Sequence, residues 1–235
     1  MAVEAISPRT PGTPRNAAPT QTVMEAQVLF EMGRFAEAAA LFDSIGRWTS
    51  DAEMPSQLGR STAWAMTQAA NALAAGRDTI GLAARADSVA TSGARSGYER
   101  DRRLHHHVRG LLFVSRGQDD AAIAELRRAI YSWNLGYTRT NLTLARALLR
   151  QQRPSEAIVV LQPALRGSLE ASNFYVTRAE IHESLAQAWD AMPGAAARDS
   201  AAAHYDVVAR AWSKADPAFA PRLATARQRL EALKR

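Results

Sequence analysis

An all-α fold of repeated helix hairpins is what this sequence predicts, and three observations carry the prediction. From about Thr20 onward, apolar residues recur every three or four positions inside runs rich in alanine, leucine and arginine, the period of a helix with one buried face. No stretch alternates apolar and polar residues for long enough to make a strand. Short segments of the chain also align with one another, the mark of a fold built by repetition.

The composition sets the outer bounds. The chain has 235 residues, 47% of them hydrophobic, enough for a folded core and for five or six hairpins of about 30–40 residues each. It has no cysteine, which excludes a disulfide framework, a thiolate metal site and a thiol nucleophile. No apolar run reaches the roughly 18 residues of a membrane span. The N-terminus, MAVEAISPRTPGTPRN, lacks the basic start and apolar stretch of a signal peptide, so a cytoplasmic protein is expected. The formal charge is +6, and all basic residues except Lys214 and Lys234 are arginine. Such a skew reads as genomic composition and does not by itself point to nucleic acid.

Residues 1–19 form a separate segment. Pro8, Pro11, Pro14 and Pro19 stand among Ser, Thr and Gly with few apolar groups, so the segment reads as a disordered tail or the end of a linker. Residues 20–235 form the helical domain. Within it Ala26 to Ala38, followed by Phe42 and Ile45, aligns with Gly110 to Ala122, followed by Leu126 and Ala129. Both align with Ala145 to Ala157, followed by Leu161 and Ala164. A small residue is thus followed twelve positions later by alanine. Midway sits Gly33, Gly117 or Gln152, where a left-handed residue would end the first helix. A fourth segment starts at Ala186 and resumes at Asp199-Ser-Ala201, Tyr205 and Val208, with extra residues around Pro193-Gly194. Residues Ser56–Ala90 leave room for one more hairpin, its first helix Trp64 to Gly76, in a looser match. After Asp216-Pro217, apolar residues at Leu223, Ala226, Leu230 and Leu233 predict a terminal helix covering the end of the array. Trp48, Trp64, Trp133, Trp189 and Trp212 fall in separate units, as expected of packing between helices.

These small–turn–Ala–aromatic positions resemble the tetratricopeptide repeat over about residues 20–215. The resemblance implies an α-solenoid of about five helix-turn-helix units plus a C-terminal capping helix. It implies a protein–protein interaction module (adaptor, assembly scaffold or subunit of a larger complex, even a membrane-attached one) with no cofactor. It also implies that the first helix of each unit lines a concave groove. Carried over by alignment, the groove positions are His107, Leu111 and Val114 in one unit and Arg139, Leu142, Arg146 and Arg150 in the next. Tyr98–Pro217 also looks like helical-repeat regions of larger bacterial signalling and regulatory proteins, through RDRRLHHHVRG, RRAIYSWNLGYTRTNLTLARALL and DSAAAHY. That likeness implies a sensing or docking role.

Nothing in the sequence assembles a catalytic or metal constellation. His105, His106 and His107 are consecutive on a helix and point about 100° apart, so they cannot converge on one ion. One packed and two partly exposed imidazoles are expected instead. His182-Glu183 begins like a zinc-protease helix, but Ala186 stands where the second histidine is needed. Glu180, Glu183 and Asp190 read as a solvated acidic face. No phosphate-binding loop, nucleophile elbow or dinucleotide fingerprint is present.

Charge placement says more. Between Arg95 and Arg153 there are twelve arginines against five acids, while Glu170 to Asp190 holds four acids against Arg178. Arg139, Arg146 and Arg150 follow i, i+7, i+11 spacing and so share one helix face. The planar guanidinium fork suits carboxylates and phosphates. The expected partner is therefore an acidic or amphipathic protein segment. A solvated face carrying ion pairs remains the plainer reading of the same residues. The alternative ligand is nucleic acid or another phosphate on the basic middle, where Tyr98, Tyr131, Trp133 and Tyr137 are interleaved.

Overall fold

The computed structural model describes residues 19–46, 54–130, 138–166 and 176–234. Eleven α-helices run through them: α1 (Pro19–Glu31), α2 (Phe35–Gly46), α3 (Pro55–Ala75), α4 (Thr79–Arg95), α5 (Leu104–Ser115), α6 (Asp119–Ala129), α7 (Thr138–Arg150), α8 (Pro154–Arg166), α9 (Arg178–Asp190), α10 (Ala195–Ala211) and α11 (Ala220–Leu233). Short 3-10 turns at Glu99–Arg103 and Pro217–Phe219 lead into α5 and α11. Among the described residues there is no strand, and no helix is long and apolar enough to cross a membrane. Of the tail assigned to residues 1–19, residues 1–18 lie outside the described residues, as do Trp48, Tyr131, Trp133, Tyr137 and Glu170, whereas Pro19 belongs to the helical domain as the first residue of α1.

The repeat visible in the sequence has one physical origin, a turn used four times. Gly33, Arg77, Gly117 and Gln152 all have positive φ, between 55° and 75°. At each, the amide of the following residue reaches back five positions: Arg34 to Leu29, Asp78 to Leu73, Gln118 to Phe113 and Arg153 to Leu148, at 2.8–2.9 Å. The left-handed residue itself donates three positions back. This pair of bonds satisfies carbonyls that the ending helix would otherwise leave open. The next helix begins two residues on in every case.

Measured from that residue, side-chain size is set by packing. Seven positions before it stand Ala26, Ala70, Gly110 and Ala145, all buried where paired helices approach most closely. A methyl group on Gly110 would lie 2.5 Å from Leu126 Cγ, so no larger side chain fits there. Five positions after it stand Ala38, Leu82, Ala122 and Ala157, each without exposed surface. Nine after it stand Phe42, Ala86, Leu126 and Leu161, also buried. The second hairpin matches loosely in sequence because Arg77, not Gly76, takes the left-handed conformation and Leu82 replaces the expected alanine.

Each helix packs against the one before and the one after it. Alternate helices also touch in the series α3, α5, α7, α9. The apolar interior is correspondingly elongated, as three clusters: α1 to α5 around Phe42, Leu82 and Leu104, then α6 to α9 around Leu126, Leu148 and Leu161, then α9 to α11 around Tyr205, Val208 and Trp212. Trp64 and Trp212 are buried and Trp189 is half-buried, as expected for core tryptophans. Leu223, Ala226, Leu230 and Leu233 of α11 turn onto the last cluster, and its remaining positions are arginine, other polar residues, alanine and proline.

Polar pins hold the layers in register. The buried Asp101 carboxylate accepts from Trp64 Nε1 at 2.9 Å and Ser96 Oγ at 2.5 Å, tying α3 to the end of α4 and the turn before α5. Thr177 and Glu180 close a reciprocal cap at the start of α9.

Candidate partner-binding face

The positions carried over from the repeat alignment divide into two groups. His107, Leu111 and Leu142 are buried: the two leucines belong to the core clusters and offer no surface to a ligand. Val114 is half-buried against the second cluster. The three arginines of α7 reach the surface to different degrees. A groove position in the alignment marks a backbone direction, whereas the tightness of local packing decides whether the side chain is reachable.

His107 joins three alternate helices. Its Nε2 lies 2.8 Å from Asn71 Oδ1 on α3, and its Nδ1 lies 2.9 Å from Thr140 Oγ1 on α7. Asn71 Oδ1 can only accept, so Nε2 carries the proton and Nδ1 accepts from the threonine hydroxyl. Burial, reinforced by the charge of Arg139, pushes the imidazole pKa down to about 3, so the ring is neutral. His105 and His106 are part-exposed, bonding to Arg102 O and to Glu125 at 2.8 Å. One packed ring and two partly open ones match the sequence expectation.

The arginines on the shared face of α7 meet different surroundings. Arg150 is gripped by Asp119 of α6 through three bonds of 2.6–3.1 Å, and those bonds hold the Asp119 carboxyl below its usual pKa. Arg139 is half-buried with its guanidinium carbon 5.0 Å from the centre of the Phe30 ring of α1. The end of the first helix therefore meets the start of the seventh. Burial holds the Arg139 pKa low, against the opposing pull of Glu180 and Glu31.

Arg146 differs from both. Its nearest carboxylate oxygen is Glu180 Oε1, at 4.0 Å, beyond hydrogen-bond reach, and its side chain is 42% exposed. The other Glu180 oxygen is committed to the Thr177 cap. Burial of the guanidinium outweighs Glu180 and Glu183 and lowers its pKa, with Arg222 and Arg150 adding repulsion.

Most of the basic middle is neutralised by the protein's own acids. Arg100, Arg102, Arg109, Arg127, Arg128, Arg150 and Arg153 each have a carboxylate partner within 3.6 Å. Several of these pairs link neighbouring helices: Arg109 to Asp87, Arg127 to Glu156, and Arg150 to Asp119. The excess of charge in the sequence is therefore far less a continuous positive surface than the count suggests. Tyr98, half-exposed, lies between Arg60 and Arg100, whose guanidinium carbons are 4.3 and 5.5 Å from its ring centre.

The acidic face expected over α9 is not simply solvated. Glu183 is buried and pairs with Arg222 of α11, which also covers the Trp212 ring at 4.5 Å. Asp190 is held by Arg229 at 2.6 Å. These acids fasten the terminal helix, a role invisible until α9 and α11 are brought together. His182 contacts His204 across α9 and α10, Nδ1 to Nδ1 at 2.8 Å, with ring centres 5.0 Å apart. The rings are tilted by 47°, and one Nδ1–H donates to the other ring's Nδ1. Among the described residues no three His, Asp or Glu side chains gather to hold a metal ion.

Comparison of the chain with family models, with curated proteins and with solved structures gives no match.

Proposed function

We propose that this chain is a tetratricopeptide-like α-solenoid that binds a partner protein without catalysing a reaction, through the face of α7 that carries Arg139, Arg146 and Arg150. The observation that carries the reading is Arg146. It is recessed among neighbouring helices, has no hydrogen-bonded acceptor, and stands between two further arginines on one helix face. A guanidinium with open donors in a sheltered place gains strongly from a carboxylate, because the bond is charge-assisted and partly screened from water. The repeated hairpin turns and the contacts α3–α5–α7–α9 support the solenoid reading, since alternate helices would then form one layer along a shared inner face. The partner is an acidic or amphipathic segment of another protein, and the chain serves as an adaptor, scaffold or subunit.

Nucleic acid fits less well, because carboxylates already occupy most arginines of the basic middle and would have to be displaced. The test is affinity capture from nuclease-treated lysate of the native host, at low and high salt, with wild-type bait and Arg146→Glu bait. A stoichiometric protein that survives high salt with wild type and disappears with Arg146→Glu is the expected result. Nucleic acid co-purifying in place of protein, with a steep loss on adding salt, would overturn it.

A further inference from the structure

We propose that the end of α1 is a built-in competitor for the α7 face, and that the partner displaces it with an aromatic side chain followed at once by a carboxylate. The inference rests on the reading of that face as the binding surface and names the chemistry that fills it. Phe30 and Glu31 are the last two residues of α1. Five helices separate α1 from α7 in the chain, yet the Phe30 ring centre lies 5.0 Å from the Arg139 guanidinium carbon. Glu31 draws on the same guanidinium through its charge. A guanidinium stacks on an aromatic ring and pairs with a carboxylate, the two modes that suit its planar, charged fork. The first helix therefore already offers Arg139 what an acidic, amphipathic partner would bring.

The competitor is preset by its own hairpin. Gln27, one turn back, donates to Glu31 at 2.8 Å. The Phe35 ring at the start of α2 meets the Phe30 ring edge-on, with centres 5.5 Å apart. Phe30 also packs, half-buried, on the first core cluster. Its contact with Arg139 is thus made without ordering a free segment, and a partner must exceed it to bind. Arg146 supplies the excess. It stands seven residues beyond Arg139, about 10 Å along α7. Among the described residues its ion-pairing carboxylate is Glu180, at 4.0 Å, so the end of α1 does not serve it. A partner segment with a further acid about 10 Å from its aromatic residue gains a charge-assisted bond that α1 does not make.

The probe is a labelled peptide with the sequence of residues 19–33, titrated with the full chain and followed by fluorescence anisotropy. The variant F30L/E31Q keeps an apolar side chain against the core and removes the ring and the charge. It should bind the peptide about three- to tenfold more tightly than wild type does, the worth of the vacated cation–π contact. E31Q alone, which leaves the packing of Phe30 untouched, should shift binding in the same direction by a smaller factor. Adding Arg139→Gln to F30L/E31Q should abolish the gain. Peptides with alanine for the phenylalanine, or glutamine for the glutamate that follows it, should lose the gain as well. The capture experiment turns on Arg146 and this one on Arg139, so the two readings fail separately. Three results would overturn the competitor and leave the α7 face to the capture experiment: equal binding by wild type and F30L/E31Q, a gain that survives Arg139→Gln, or no saturable binding by either chain.

Discussion

Lowering the pH from 7.5 to 5.0 should destabilise this protein through one buried ring, and the size of the effect follows from its surroundings. His107 has no exposed surface, donates to Asn71 and accepts from Thr140, and its pKa is pushed down to about 3 from 6.5. The unfolded chain takes up a proton near pH 6.5, whereas the folded chain does not until about pH 3. The stability contributed by the neutral ring is therefore complete above pH 6.5, falls as pH drops below it, and is exhausted near pH 3. Each unit is worth about 1.4 kcal/mol, so at pH 5 the loss from this residue is about 2 kcal/mol. The assay is urea unfolding followed by circular dichroism at pH 7.5 and 5.0, for wild type and His107→Gln. Glutamine retains hydrogen-bonding capacity toward both partners but does not titrate. Its stability at pH 7.5 should be lower by about 1–3 kcal/mol, because its geometry is poorer than that of imidazole. Its fall between the two pH values should be smaller than that of wild type by about 2 kcal/mol. His204, pushed down to about 4 chiefly by burial, contributes to both proteins alike and cancels in the comparison. Equal pH dependence in the two proteins would refute the neutral, buried assignment of His107.

Other perturbations test the hairpin and its pins. Gly110→Ala should cost about 1–3 kcal/mol in chemical denaturation, because the new methyl overlaps Leu126, whereas Gly97→Ala, whose nearest neighbour is Ser56 Cβ at 3.9 Å, should be nearly silent. Gln152→Gly should raise stability by about 0.5–1 kcal/mol, since glycine takes the left-handed turn without the Cβ penalty that Gln152 bears at φ 55°. A melting temperature unchanged or lowered in that variant would count against the strain. Arg222→Ala should cost about 1–3 kcal/mol, leaving Glu183 without its partner and uncovering Trp212; Arg34→Ala, in an exposed pair, should cost less than about 0.5 kcal/mol by the same denaturation assay.

The helical class, the hairpin spacing and the terminal helix were legible in the sequence because they rest on local rules. Alanine or glycine at Ala26, Gly110 and Ala145, and buried alanine at Ala38, Ala122 and Ala157, record a steric demand that recurs at fixed distance from each turn. Arg77 hid the second hairpin because a left-handed residue need not be glycine; its hydrogen-bond pattern reveals it where its identity does not. The candidate face was legible only as a direction. Sequence spacing places Arg139, Arg146 and Arg150 on one side of α7, but their accessibility and pairing depend on helices distant in the chain. Asp119 from α6 closes on Arg150, Phe30 from α1 covers Arg139, and the Thr177 cap keeps one Glu180 oxygen from Arg146. His107, Leu111 and Leu142 share the alignment's direction yet end in the interior. The sequence by itself determined the helices and the turns between them, because those depend on neighbours a few residues apart. Only the tertiary structure decided which charges are cancelled and which are left open, because ion pairing and burial depend on groups that meet only when the hairpins are stacked.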